Sequence, residues 1–76
     1  MLHKVDARRL LCPMPVIRVQ DAIEEVAIGD EVEITCTDPG VKNDIPAWCR
    51  INQHSLISII DNDHEIIIVV RKENDD

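Results

Sequence analysis

A chain of 76 residues is enough for one domain and no more, and a domain that small buries only about 60% of the surface its unfolded chain exposes, which leaves little room for a deep pocket or a large cofactor. Hydrophobic residues make up 45% of the chain while Trp48 is the only aromatic, so the core must be built from Ile, Val and Leu, a β-branched bias that suits strands. The formal net charge of −7 excludes a uniformly basic nucleic-acid footprint and favours partners with basic patches.

His3 to Ala7 alternates as a short strand, with Val5 and Ala7 on one face and Lys4 and Asp6 on the other. After a connection over Arg8 to Leu11 comes Cys12-Pro13-Met14-Pro15, then helical periodicity with Val16, Val19, Ile23 and Val26 on one face, closed near Gly29. Cys12 is expected at the N-cap and Pro13 at the first helical position, where proline loses nothing. Asp30 to Thr37 alternates as a strand with Val32, Ile34 and Cys36 pointing one way, and Asp38-Pro39-Gly40 ends it. Val41 to Gln53 reads as a second helix. Pro46 is awkward there, so the regular helix is expected to start near Asp44 as its N-cap. Leu56 to Ile60 and Glu65 to Arg71 form a hairpin across Asp61-Asn62-Asp63. Lys72 to Asp76 is expected to be a solvated, disordered tail.

The resulting order is βαβαββ. It predicts an α+β two-layer sandwich over residues 1–76, a four-stranded mixed sheet with two helices packed on one face. The first βαβ unit crosses over right-handed, which makes its strands parallel neighbours. The run Ile66 to Val70 has no polar alternation. It is either a central strand shaded by its neighbours or the source of an apolar patch on the open sheet face.

No stretch approaches the roughly 20 apolar residues of a membrane helix, and no basic-then-apolar leader stands at the start. Three cysteines without pairwise motif spacing read as free thiols in a reducing compartment, so the expected location is cytoplasmic. Cys12 carries the strongest chemical signal. A helix N-terminus holds about half a positive charge, which favours thiolate over thiol, and Arg8 and Arg9 add cationic charge nearby in sequence. A thiolate that forms and leaves easily suits reversible sulfur exchange. The bland alternative, a cysteine merely packed under the helix, is weakened because N-caps are ordinarily Ser, Thr, Asp or Asn.

The stretch Asp6-Ala7-Arg8-Arg9-Leu10-Leu11-Cys12-Pro13-Met14-Pro15 resembles the signature of the TusA-type (SirA-like) sulfur carrier proteins, and Asp38-Pro39 with Asp44-Ile45-Pro46-Ala47-Trp48-Cys49 resembles that family's second segment. The resemblance implies that Cys12 carries sulfur as a persulfide, framed by Pro13 and Pro15, with no cofactor beyond that covalent sulfur. It implies a donor such as a cysteine desulfurase or rhodanese-like protein and an acceptor sulfurtransferase of the DsrE-like kind. The sulfur would go towards tRNA thiolation, molybdenum cofactor assembly or sulfur oxidation, with no direct nucleic-acid or membrane contact. The chain would then be a carrier in sulfurtransferase reactions more than a stand-alone enzyme. The family usually has glycine where Arg9 stands, so a left-handed turn there would strain Arg9. Leu10, Leu11 and Met14 would form an apolar collar that docks a partner, with Arg8 and Arg9 as further docking candidates.

Two other readings stay open. Cys12 could work with Cys49 as a resolving thiol in a redox protein, or the open sheet face could serve a non-catalytic regulatory domain. Cys36, on the inward face of its strand, reads as inert. Cys49 reads as packing or as a secondary thiol, and Trp48 as core. His3, His54 and His64 lack ligand spacing with any cysteine, so no metal is expected. Asp38 and Asp44 read as turn and N-cap residues.

Overall fold

Alternating β-branched residues and two amphipathic stretches assort as the sequence dictates. A computed structural model describes residues 1–75, and Asp76 lies outside the described residues. The elements are β1 (Leu2–Ala7), α1 (Met14–Glu25), β2 (Glu31–Cys36), α2 (Val41–Asn52), β3 (Ser55–Asn62) and β4 (Glu65–Arg71). They build one four-stranded mixed sheet in the order β1-β2-β4-β3. β1 and β2 run parallel, whereas β4 is antiparallel to both β2 and β3. One face of the sheet, carrying Val32, Ile34, Cys36, Ile66, Ile68 and Val70, forms a single core with Val19 and Ile23 of α1 and with Val41, Ile45, Trp48 and Cys49 of α2. Both helices therefore cover that face, which is the βαβαββ two-layer sandwich.

Ile66 to Val70 occupies a central strand. Its odd members, Ile67 and Val69, are half-buried on the outer face between β2 and β3. The more exposed apolar side chain on that face, Ile60, belongs to the edge strand β3. The hairpin turn is shifted from its expected place. Asp61 and Asn62 continue β3 and Asn62 pairs with Glu65, so the turn is made at Asp63 and His64.

Three further expectations are corrected. α1 starts at Met14 with Pro13 at the N-cap, so Cys12 stands one residue outside the cap and Pro15 is the second helical residue. Burial decides this shift: Pro15 is sealed in the core and anchors the first turn. α2 begins at Val41 behind Gly40, and Pro46 lies inside it. Val41 and Ile45 are both fully buried, and the opening turn is pinned by Val41 N donating to Asp38 O and Lys42 N to Pro39 O. That anchoring holds the turn although Pro46 supplies no N–H to the helix.

The third correction concerns the C-terminal segment. Lys72 is only 5% exposed. Its backbone continues the pairing, with Lys72 N donating to Asp30 O and Gly29 N to Lys72 O. Its ammonium donates to Val26 O, at the C-cap of α1, and pairs with Asp75. A cation at the carbonyl end of a helix is favourable, and here it also satisfies an orphan acceptor. Asn74 Nδ2 donates to Asn52 O and Gln53 O at the end of α2. Residues 72–75 thus close the far end of both helices. The expectation of a free tail at Asp76 falls outside the described residues.

Candidate functional site

Because β1 and β2 are parallel neighbours, with Ala7 opposite Cys36, the loops that leave their C-terminal ends emerge side by side. One loop carries Arg8 to Pro13, the other Thr37 to Gly40. Arg9 N donates to Thr37 Oγ1 at 2.9 Å and Cys12 N to Asp38 Oδ2 at 2.9 Å, so side chains of the second loop hold the first. Asp38 uses its other oxygen to accept from Gly40 N, also at 2.9 Å. One carboxylate therefore straps the residue before α1's N-cap to the N-cap of α2.

Cys12 lies at this junction and is the only one of the three cysteines that is not buried. The peptide bond from Cys12 to Pro13 is cis. The sulfur rests against Gly40: a Cβ built on that glycine would lie 3.3 Å from Cys12 Sγ and 3.3 Å from Asp38 Oδ1. Gly40 has ordinary helical angles, so what it contributes is the missing side chain and the space this leaves for the sulfur. Arg9 has φ +69°, in the left-handed region that glycine adopts freely and other residues only at a cost. The strain foreseen for Arg9 is present.

A family model described as sulfurtransferase TusA matches residues 3–72. The chain belongs to the TusA family. Among its curated relatives, "Putative sulfur carrier protein YrkI" of Bacillus subtilis (strain 168) is 40% identical over 57 residues, spanning 75% of this chain and 76% of the relative. Among solved structures, a SirA-like protein from Desulfitobacterium hafniense superposes with a TM-score of 0.83 at 20% identity, covering 97% of this chain and 100% of the other. That second likeness is one of fold.

The electrostatics around the sulfur of this TusA-family chain reverse the expectation of an activated thiolate. Hydrogen bonding to Asp44, loss of hydration, and hydrogen bonding to Asp38, in that order, push the Cys12 thiol up to about 12. A helix terminus offers about half a unit of positive charge that fades within a turn. The two carboxylate side chains outweigh it. Of the expected cations, Arg8 is engaged elsewhere. Arg8 forms a pair with Asp6, at 3.0 Å from Nε, and reaches Glu65 at 3.5 Å. The hollow lined by Arg8 and Arg9 is shared with Asp6, Thr37 and Glu65 and does not include Cys12.

Of the expected collar, Leu10 packs against the core, while Leu11 is 75% and Met14 40% exposed. Ile17, one turn beyond Met14, extends that apolar strip and was not foreseen, although the three-residue spacing marked it. Cys36 and Cys49 are sealed in the core, and burial pushes both thiols up to about 11. Trp48 is core, with its indole N–H directed at Gln20 and its ring stacked on His54 at 5.4 Å. Among the described residues no three His, Cys, Asp or Glu side chains group as a metal site, and no helix is long and apolar enough to cross a membrane. The site residues missed in the sequence are Asp38, Gly40 and Asp44. The signal that could have found them is topological, since loops after adjacent parallel strands meet at one end of the sheet.

Proposed function

We propose that this chain is a sulfur carrier that accepts sulfane sulfur as a persulfide on Cys12 and relays it to an acceptor protein. The observation that carries the reading is the position of Cys12. In a member of a sulfurtransferase family, it is the one cysteine with access to solvent, it sits at the meeting point of both helix starts, and exposed apolar residues flank it. In loading, the Cys12 thiolate attacks the outer sulfur of a donor persulfide. The donor's S–S bond breaks, its electron pair leaves on the inner sulfur, and a persulfide forms on Cys12. In delivery, an acceptor thiolate attacks the outer sulfur and Cys12 departs with the electron pair. Neither step changes the overall oxidation state, so no redox cofactor is required. Donor and acceptor proteins meet the chain at Leu11, Met14 and Ile17.

A redox pair between Cys12 and Cys49 is disfavoured, because Cys49 is 2% exposed. Intact-mass measurement after incubation with a cysteine desulfurase and cysteine tests the proposal. The expected result is a gain of one sulfur atom by the parent chain and none by Cys12→Ser. Equal loading of both chains overturns the assignment.

A further inference from the structure

Three reactive groups converge on the face of Gly40. A Cβ at that glycine would lie 3.3 Å from Cys12 Sγ, 3.3 Å from Asp38 Oδ1 and 3.8 Å from Asp44 Oδ2. The two carboxylates differ in what else they do. Asp38 is committed to backbone amides, accepting from Cys12 N with one oxygen and from Gly40 N with the other. Those bonds hold its carboxyl below the usual range, so it stays negatively charged beside the sulfur. Asp44 stands in the first turn of α2, on the element that faces the thiol from across Gly40, and its hydrogen bond is the strongest single influence on the Cys12 proton. The charged groups that bear most on the sulfur are these two, one from the β2–α2 loop and one from α2. Arg8, on the loop that carries Cys12, is paired with Asp6 and Glu65.

We propose that Asp44 is a positioning residue that keeps Cys12 as a protonated thiol while the chain is alone, so that the nucleophile is released only when the charge of the Asp38–Asp44 pair is offset. This rests on the sulfur-carrier reading and deepens it, because it assigns the control of reactivity to the second helix. A free thiolate on a half-exposed cysteine reacts with any oxidant or electrophile in reach. A thiol held by a carboxylate does not. The chemistry complementary to the lock is a cation presented beside an apolar surface, since the exposed Leu11 and Met14 flank Cys12 in the sequence. During loading, the proton that leaves Cys12 ends on the donor's inner sulfur, so the exchange is neutral in protons.

The test is the rate of alkylation by iodoacetamide, followed from neutral pH to about pH 10 and read as intact mass. It needs no sulfur donor, so the lock stands or falls separately from sulfur loading. The Asp44→Asn chain is expected to react at least about tenfold faster than the parent near neutral pH, with its pH profile displaced to lower pH. Cys36 and Cys49 act as internal reporters of folding: a single label per chain shows that the core has stayed closed. Should Asp44→Asn take up more than one label, Asp44→Ser is measured in its place. A profile for the singly labelled variant that superimposes on the parent's, or lies to the slow side of it, overturns the proposal.

Discussion

The two ends of the helix layer use opposite chemistry for the same structural problem. At the far end, where α1 and α2 finish, every exposed carbonyl that is met is met by a donor: Lys72 reaches Val26 O, and Asn74 reaches Asn52 O and Gln53 O. Charge and dipole agree there, and the largely buried Trp48 indole lines the same end with Lys72 and Asn74. At the near end, where both helices begin, the Asp38 carboxylate satisfies amides in the same way, but it also brings negative charge against a sulfur that helix dipoles alone would activate. One end is built for closure. The other holds a half-exposed thiol, a left-handed arginine and a second carboxylate in a small space. The difference separates what stabilises the fold from what governs the reactive group, so substitutions at the two ends should have separable effects.

The sharpest way to break that separation is Lys72→Ala. It removes a buried cation from a helix terminus and leaves Val26 O without its donor, which should lower stability by about 2 kcal/mol, read as a lower urea midpoint. Labelling of Cys12 in the chain that remains folded should be unchanged. Next in size is Arg9→Gly, which relieves the left-handed strain and should stabilise by about 1 kcal/mol in the same assay. Gly40→Ala follows, at about 1 kcal/mol destabilising, because the new methyl lies within 3.3 Å of both Cys12 Sγ and Asp38 Oδ1 and one of them must move. Unlike Lys72→Ala, it should change the alkylation rate of Cys12.

The pH dependence gives a smaller and more diffuse signature. The three thiols lose their protons later in the folded chain than in the unfolded one, at about 11 for Cys36 and Cys49 and about 12 for Cys12 against an ordinary 9.0. Their contribution is therefore complete below pH 9 and is lost as pH rises from there through 11 and 12, and the urea midpoint should decline across that window. Asp30 and Asp38 act in the opposite sense, since both are held below the ordinary 3.8 by hydrogen bonds or charge. Their contribution is present above that value and is lost as pH falls below it. The smallest effect on stability is expected for Leu11→Glu combined with Met14→Glu. Both side chains are exposed, so stability should change by no more than about 0.5 kcal/mol for each. Sulfur transfer from a protein donor should nonetheless fall, and unchanged transfer would remove the docking role of the strip.

Much of this was readable from the residues. β4 matched its expected limits of Glu65–Arg71, and the inward faces of β2 and α1 followed from periods of two and of three to four. The parallel pairing of β1 with β2 followed from crossover handedness. The β2–α2 loop was legible only as punctuation. Asp38-Pro39-Gly40 marks a turn, but nothing local says that its carboxylate reaches a residue 26 positions earlier, because that contact exists only once the sheet is assembled. Long-range neighbours likewise reversed the reading of Cys12, where local reasoning counted the dipole of its own helix and could not count Asp44 and Asp38 arriving from α2 and the loop before it. Lys72 was misread for a related reason. In sequence it begins a charged run, and only the end of α1 above it turns a solvated lysine into a buried plug.

If the chain carries sulfur as proposed, the strap made by Asp38 between Cys12 N and Gly40 N has a mechanical consequence for delivery. Two loops joined in this way would travel as one body, and a sulfur carried on Cys12 would not swing outward on a loose arm. Its reach is that of one side chain plus a single sulfur–sulfur bond of about 2 Å. On the proposed carrier reading the recipient thiol would have to come to this chain, and a recipient that surrounds the exposed Leu11 and Met14 with a cup would reach Cys12 where a flat face would not.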